Sequence, residues 1–174
     1  MTKTYTIPDE YRSGLWESTV EGAENGVFSA RTGDPPFNHD FGGDYAFTSF
    51  ETDGPATLRV RTRVPRDLSR TAILPASCGA TLRRIDDSTL EIAVPGPCRF
   101  SLEPDGRSHP LLVFADPPET DAPDLDDPKV KAFTSGVTLP KDGRIELGDG
   151  ETLYIAAGAV VQGGVHARGR DIRI

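Results

Sequence analysis

Three histidines, one tryptophan and a scatter of carboxylates are the residues of this 174-residue chain whose types could do chemistry. His39 sits in PPFNHDFGGDY, close in sequence to Asp40, Asp44 and Tyr45. An imidazole among carboxylates and a phenol could line a small polar site; ordering of a loop at a sheet edge is the plainer reading. His166 lies in GGVHARG and could face a substrate groove. His109 precedes Pro110, opens a strand and is given a surface role. Trp16 belongs to an N-terminal group of aromatics with Tyr11 and Phe37. An exposed ring face could stack on a sugar, which presents an apolar body; packing into a core is again the plainer alternative.

The carboxylates are less telling. Asp86 and Asp87 are adjacent, so on a strand they would point to opposite faces, which suits a turn better than an acid–base pair. Asp149 and Glu151 flank Gly150 and could share a face, or simply form a corner loop. The stretch DPPETDAPDLDDP (116–128) holds five aspartates and four prolines. Its like charges repel and its prolines resist sheet pairing, so a linker or an extended wrapping segment is expected. A calcium site is the alternative, although the spacing does not match an EF-hand loop. Two cysteines, Cys78 and Cys98, and three scattered histidines give no zinc signature. The two thiols could be bridged or free. There is no phosphate-binding glycine loop and no G-x-S-x-G elbow. The reading therefore assigns no catalytic residue, no metal and no cofactor.

Short strands must position these residues. TLRVRTRV (57–64) alternates with period two, placing Leu58, Val60 and Val64 toward a core with Thr62 between them. Arg59, Arg61 and Arg63 then fall on the solvent face. VFSAR (27–31), YAFTSF (45–50), TAIL (71–74), TLRRI (81–85), STLEIAV (88–94), CRFSLE (98–103) and LLVFA (111–115) read as further strands. Turn signals at 86–87, 95–97 and 103–110 separate several of them. No stretch sustains a 3.6-residue apolar period, so almost no α-helix is expected. The fold class is all-β: an antiparallel sandwich over residues 1–127, including a polar N-terminal extension.

From residue 128 to 174 the pattern changes to very short apolar strands between Gly-rich corners. GRIELGDGETLYI (143–155) is followed by GVHARGRDIRI (164–174). Ile145 and Val165 are about twenty residues apart, and Tyr154 and Ile172 are similarly spaced, as in a coil that stacks on itself. Such a coil cannot bury its apolar face alone. These residues are read as the first coils of a right-handed parallel β-helix, and further coils are expected beyond Ile174.

YAFTSFETDGPATLRVR (45–61), TAILPAS (71–77) and HPLLVFADPPE (109–119) resemble the N-terminal sandwich of some β-helical glycoside hydrolases. GETLYIAAGAVVQGGVHARG (150–169) resembles their first coil. The families are the polygalacturonase-like and dextranase/isopullulanase-like enzymes, which cut polysaccharides, and the resemblance covers roughly residues 27–174. It implies a pectin-lyase-like helix in which aspartates on later coils act as general acid and as the base that activates water. None of those aspartates maps onto a residue of this chain, so these 174 residues alone are expected to be inactive. The implied partner is a polysaccharide or oligosaccharide, with Trp16, His39 and His166 as candidate glycan contacts. A non-enzymatic carbohydrate-binding or assembly module is the alternative, and a flat Trp or Tyr platform on one sheet would favour it.

A formal net charge of -8 argues against nucleic acid and anionic membranes as partners. No apolar run is long enough to span a bilayer. The N-terminus lacks the apolar core of a signal peptide, so the chain is read as cytoplasmic, or as extracellular with its signal already removed. The open end of the coils could pair with a second copy, giving a homo-oligomer.

Overall fold

The structure is a computed structural model that describes residues 1–32, 43–107 and 109–174. Its chain divides into two units, Met1–Pro118 and Glu119–Ile174. Among the described residues there is no α-helix, only three short 3-10 turns at Asp9–Tyr11, Ala76–Cys78 and Lys141–Gly143.

The first unit contains β1 (Thr2–Lys3), β2 (Trp16–Val20), β3 (Ala23–Asn25), β4 (Val27–Thr32), β5 (Gly43–Thr52), β6 (Ala56–Thr62), β7 (Ala72–Leu74), β8 (Thr81–Arg84), β9 (Thr89–Val94), β10 (Cys98–Arg107) and β11 (Leu111–Asp116). One sheet runs β3-β2-β6-β9-β8 and is antiparallel throughout. The other runs β1-β5-β11-β10-β7, with β4 also paired to β5. This second sheet is mixed: β11 lies parallel to β5, from Leu111 beside Ala46 to Asp116 beside Glu51. The remaining pairs of the sandwich are antiparallel, as the strand spacing predicts. Parallel partners need a long crossover, which period-two patterning does not reveal.

Alternation decides what is buried. On β6, Ala56, Leu58, Val60 and Thr62 are buried while Arg59 and Arg61 are exposed. Phe50, Leu90, Ile92, Leu102 and Val113 complete the centre of the core from both sheets. Val64 departs from expectation: β6 ends at Thr62, and Val64 is only half-buried. The Thr62 hydroxyl donates to the Val64 carbonyl at 2.7 Å, turning the chain away from the sheet.

β2 and β3 form a hairpin with Val20 opposite Ala23. Its two loop residues, Glu21 and Gly22, have φ of 50° and 84°. Positive φ at both central positions is the twist-matched geometry for a two-residue hairpin, and glycine adopts it without strain. The inward side of this hairpin sets Ser18 and Asn25 beside Trp16 and Val20. Asn25 donates through Nδ2 to Thr48 Oγ1 at 2.8 Å and to the Ser49 carbonyl at 3.1 Å, and its Oδ1 accepts from the Tyr5 amide. Thr48 in turn donates to the Gly26 carbonyl. Buried polar groups are tolerated where each finds its partner.

The second unit contains β12 (Val130–Phe133), β13 (Val137–Thr138), β14 (Arg144–Leu147), β15 (Thr152–Ile155), β16 (Val160–Val161) and β17 (Gly164–Ala167). All three pairings are parallel: β12 with β15, β13 with β16, and β14 with β17. Ile145 stacks on Val165, the offset expected from the sequence. Tyr154 does not stack on Ile172; it sits beside Ala132, and a parallel bridge places Thr152 beside Arg173. Ile172 packs instead on the coil core of Ile145, Leu147 and Leu153. This pattern, in which each repeat gives one strand to each of three parallel sheets, is the start of a parallel β-helix.

Close approach at the corners dictates residue type. A Cβ on Gly169 would lie 2.8 Å from the Asp149 amide nitrogen and 2.5 Å from its carboxylate oxygen, and Gly169 has φ of 153°. Only glycine lets one corner lie on the previous one there. The acidic stretch is largely engaged. Asp124 and Asp127 accept from the amides of Asp126 and Lys129, and Asp121 binds the Arg173 guanidinium at 2.6 Å. The Asp121 bond ties the segment to the last coil.

Candidate functional site

Two places gather functional side chains. The first is the outward face of β14 and β17. Parallel register sets Glu146 directly against His166. Because Ile145 and Leu147 turn inward, Glu146 must turn outward. His166 Nδ1 lies 2.8 Å from Glu146 Oε2. Against an ionised carboxylate that nitrogen donates, which fixes the tautomer and leaves Nε2 as the acceptor of a neutral ring. The bond to His166 holds the Glu146 carboxyl below its ordinary range, and the positive charges of Arg144 and Arg168 add to the effect. Arg144 Nε lies 2.6 Å from Glu146 Oε1.

Beside this pair, Lys131 Nζ donates to Glu151 Oε2 at 2.7 Å and to the Glu146 carbonyl at 2.6 Å. The Lys131 bond, helped by the Gly148 amide, lowers the Glu151 carboxyl too. A carboxylate held ionised is not a general acid. What Glu146 can do is orient an imidazole, and the oriented ring can bind a hydroxyl or carry a proton. Asp149 does not join Glu151; its Oδ1 accepts from the Arg170 amide at 2.6 Å on the next corner.

The second place is a cavity of about 410 Å³ along β2, on the arginine side of the sheet. Arg12, Arg59, Arg61 and Arg63 line it together with Glu17 and Glu24. Ser13, Thr19 and Thr89 add hydroxyls. Arg12 donates to Asp9 and Glu24, and Arg59 to Glu91.

The candidate residues fare differently. His166 is half-buried on the coil face, in contact with Glu146. His39 lies outside the described residues. Trp16 is 1% exposed and belongs to the sandwich core, so its ring is unavailable as an open stacking face for a sugar. The reason is register: Trp16, Ser18 and Val20 share the inward face of β2. His109 is exposed, with φ of 52°. Asp86 accepts from the Ser88 amide in the turn between β8 and β9, and Asp87 pairs with Arg84. Cys78 and Cys98 are both free thiols, half-buried against the core. Burial, then the neighbouring Cys78, pushes the Cys98 thiol up. Among the described residues, no group of three or more His, Cys, Asp or Glu is placed to hold a metal ion, and no helix is long and apolar enough to cross a membrane.

Sequence reasoning missed Glu146, although the offset that pairs Ile145 with Val165 also pairs Glu146 with His166. It also missed the cavity. Arg59, Arg61 and Arg63 read as a solvated face, and nothing in the sequence marked β2 as their neighbour.

No protein-family profile matches the chain, and no curated protein matches it. Among solved structures, the chain is similar to Dex49A from Penicillium minioluteum, with 14% identity and a TM-score of 0.64. The match covers 97% of this chain and 49% of that one, so the chain spans about half its length. At that identity the likeness is one of fold: an all-β sandwich followed by parallel coils.

Proposed function

We propose that this chain is the N-terminal portion of a polysaccharide-degrading glycoside hydrolase, supplying the sandwich and the opening coils while the catalytic carboxylates sit on later coils. The observation that supports it is the order of architectures, sandwich then stacked parallel coils, matched to Dex49A over 97% of the chain. In this reading the Glu146–His166 pair lies on a coil face that a polysaccharide would cross. His166 hydrogen-bonds sugar hydroxyls, and Glu146 keeps its ring in place. Val165 and Ile174, 44% and 75% exposed, form the apolar surface on which further coils stack.

The alternative, a binding module built on a flat aromatic platform, has less support. Phe28 and Phe47 stack face to face with centroids 4.7 Å apart and planes 8° apart, so each ring occupies the other's face. Arg99 lies over Phe114.

The test is an assay of the full-length gene product on dextran, pullulan and polygalacturonate, reading new reducing ends. Release from at least one substrate is expected, and His166→Ala should raise KM more than it lowers kcat. A folded full-length protein that leaves all three intact overturns the reading.

A further inference from the structure

The cavity along β2 carries donors that the fold leaves unused. Among the described residues, Glu17 is the only carboxylate near both Arg61 and Arg63, at 3.6 and 3.3 Å, and neither contact is a hydrogen bond. Among the described residues these two guanidinium groups donate no side-chain hydrogen bond, and their side chains are 64% and 48% exposed. Two forks of N–H donors thus share one carboxylate. Ser13, which lines the same cavity, accepts from the amides of Leu15 and Trp16 at 3.1 Å each, so its own O–H remains free to donate. The lining holds four arginines and two glutamates, an excess of positive charge in a chain of net charge -8.

We propose that this cavity binds an acidic saccharide, the uronic-acid unit of a polysaccharide chain. Its carboxylate would lie between Arg61 and Arg63, where a planar guanidinium matches it in a two-pronged bond. The hydroxyls of the sugar take the donors of Ser13 and the acceptors of Glu17 and Glu24. The volume lies within the range of small-ligand sites, roughly 300–1,000 Å³. A neutral glucan would leave both arginine forks unmatched, so charge selects the ligand. The anion site rests on this cavity alone; that its ligand is a sugar rests on the proposed function.

The experiment is calorimetric titration of the protein with trigalacturonate, isomaltotriose and citrate. Saturable trigalacturonate binding is expected, weakening as salt is raised. The double substitution Arg61→Gln, Arg63→Gln should reduce it at least about tenfold, while Arg83→Gln, outside the cavity, leaves it unchanged. Absence of trigalacturonate binding overturns the proposal, as does equal affinity for isomaltotriose. Citrate binding as tightly as trigalacturonate overturns its saccharide part. None of these outcomes bears on the hydrolase reading, which stands or falls on the reducing-end assay.

Discussion

The sandwich and the coils bury apolar side chains by different means. In the sandwich two sheets face each other, and Leu58, Val60, Leu90 and Ile92 all lose contact with water completely. In the coils the interior is narrow. Only Ile145, Leu147 and Leu153 are buried, while Ile155 and Val165 remain 43% and 44% exposed. A sandwich closes on itself, whereas a coil is completed only by what stacks on it. The first unit therefore has the core of an independent domain, and the second gains its core by repetition.

Substitutions can break that comparison. Leu58→Ala should have the largest effect, about 4 kcal/mol, because the facing sheet cannot collapse into the space. Urea unfolding measures it, and a loss under about 1 kcal/mol would mean that the two sheets are not closely packed. Leu153→Ala should cost about 2 kcal/mol, the low end for a core leucine, since its neighbours Phe133 and Ile172 are only partly buried. Hydrogen exchange should show faster opening of β12 and β15 amides with β6 and β9 unaffected; equal loosening of both would show that the units unfold together.

Asn25→Ala comes next, at about 1.5 kcal/mol, because it removes the partner of the Tyr5 amide and of Thr48. Thermal melts read this, and a stability unchanged by the substitution would mean that water serves as well as the amide.

Acid should separate the units least. Arg83, then Arg59, hold the Glu91 carboxyl of the sandwich below its ordinary value of 4.5, as Lys131 does for Glu151 in the coils. A carboxylate depressed in the native state stabilises fully above its unfolded value, and that contribution is lost as pH falls through the native one. Both melting temperatures should hold steady above pH 4.5 and fall only below it. Arg83→Gln should shrink the fall for the sandwich alone.

The sequence shows the strands whose apolar residues repeat regularly or run together. TLRVRTRV is visible because Leu58 and Val60 alternate with arginines, β9 because Leu90, Ile92 and Val94 alternate with Thr89, Glu91 and Ala93, and β11 because LLVFA is a continuous apolar run. β2 and β3 are not, because Ser18 and Asn25 face inward and the period-two signal disappears into a polar run. The Tyr5 amide, Thr48 and the Ser49 carbonyl make that burial tolerable, and partners so distant in sequence leave no local mark. Trp16 follows from the same gap: core packing is the plainer reading of its ring, and the register of β2 is what decides it. On the coils, the repeat located His166 and would have located Glu146. The cavity along β2 depends on which strand lies beside β6, and that is a property of the sheet order rather than of any one segment.

The parallel pairing of β5 with β11 also governs the order in which the chain can be completed. Synthesis runs from the N-terminus, and β5 is finished roughly sixty residues before its partner appears. Until Asp116 is made, one edge of β5 and the edge of β10 meant for β11 are both unpaired. A nascent chain in that interval exposes two sheet edges, the condition under which strands join the wrong neighbour. β11 closes both edges in one step, immediately before the acidic segment and the coils emerge. The sandwich is thus sealed before the open-ended stacking of the helix begins, and the ribosome, rather than either fold, keeps the two assemblies apart in time.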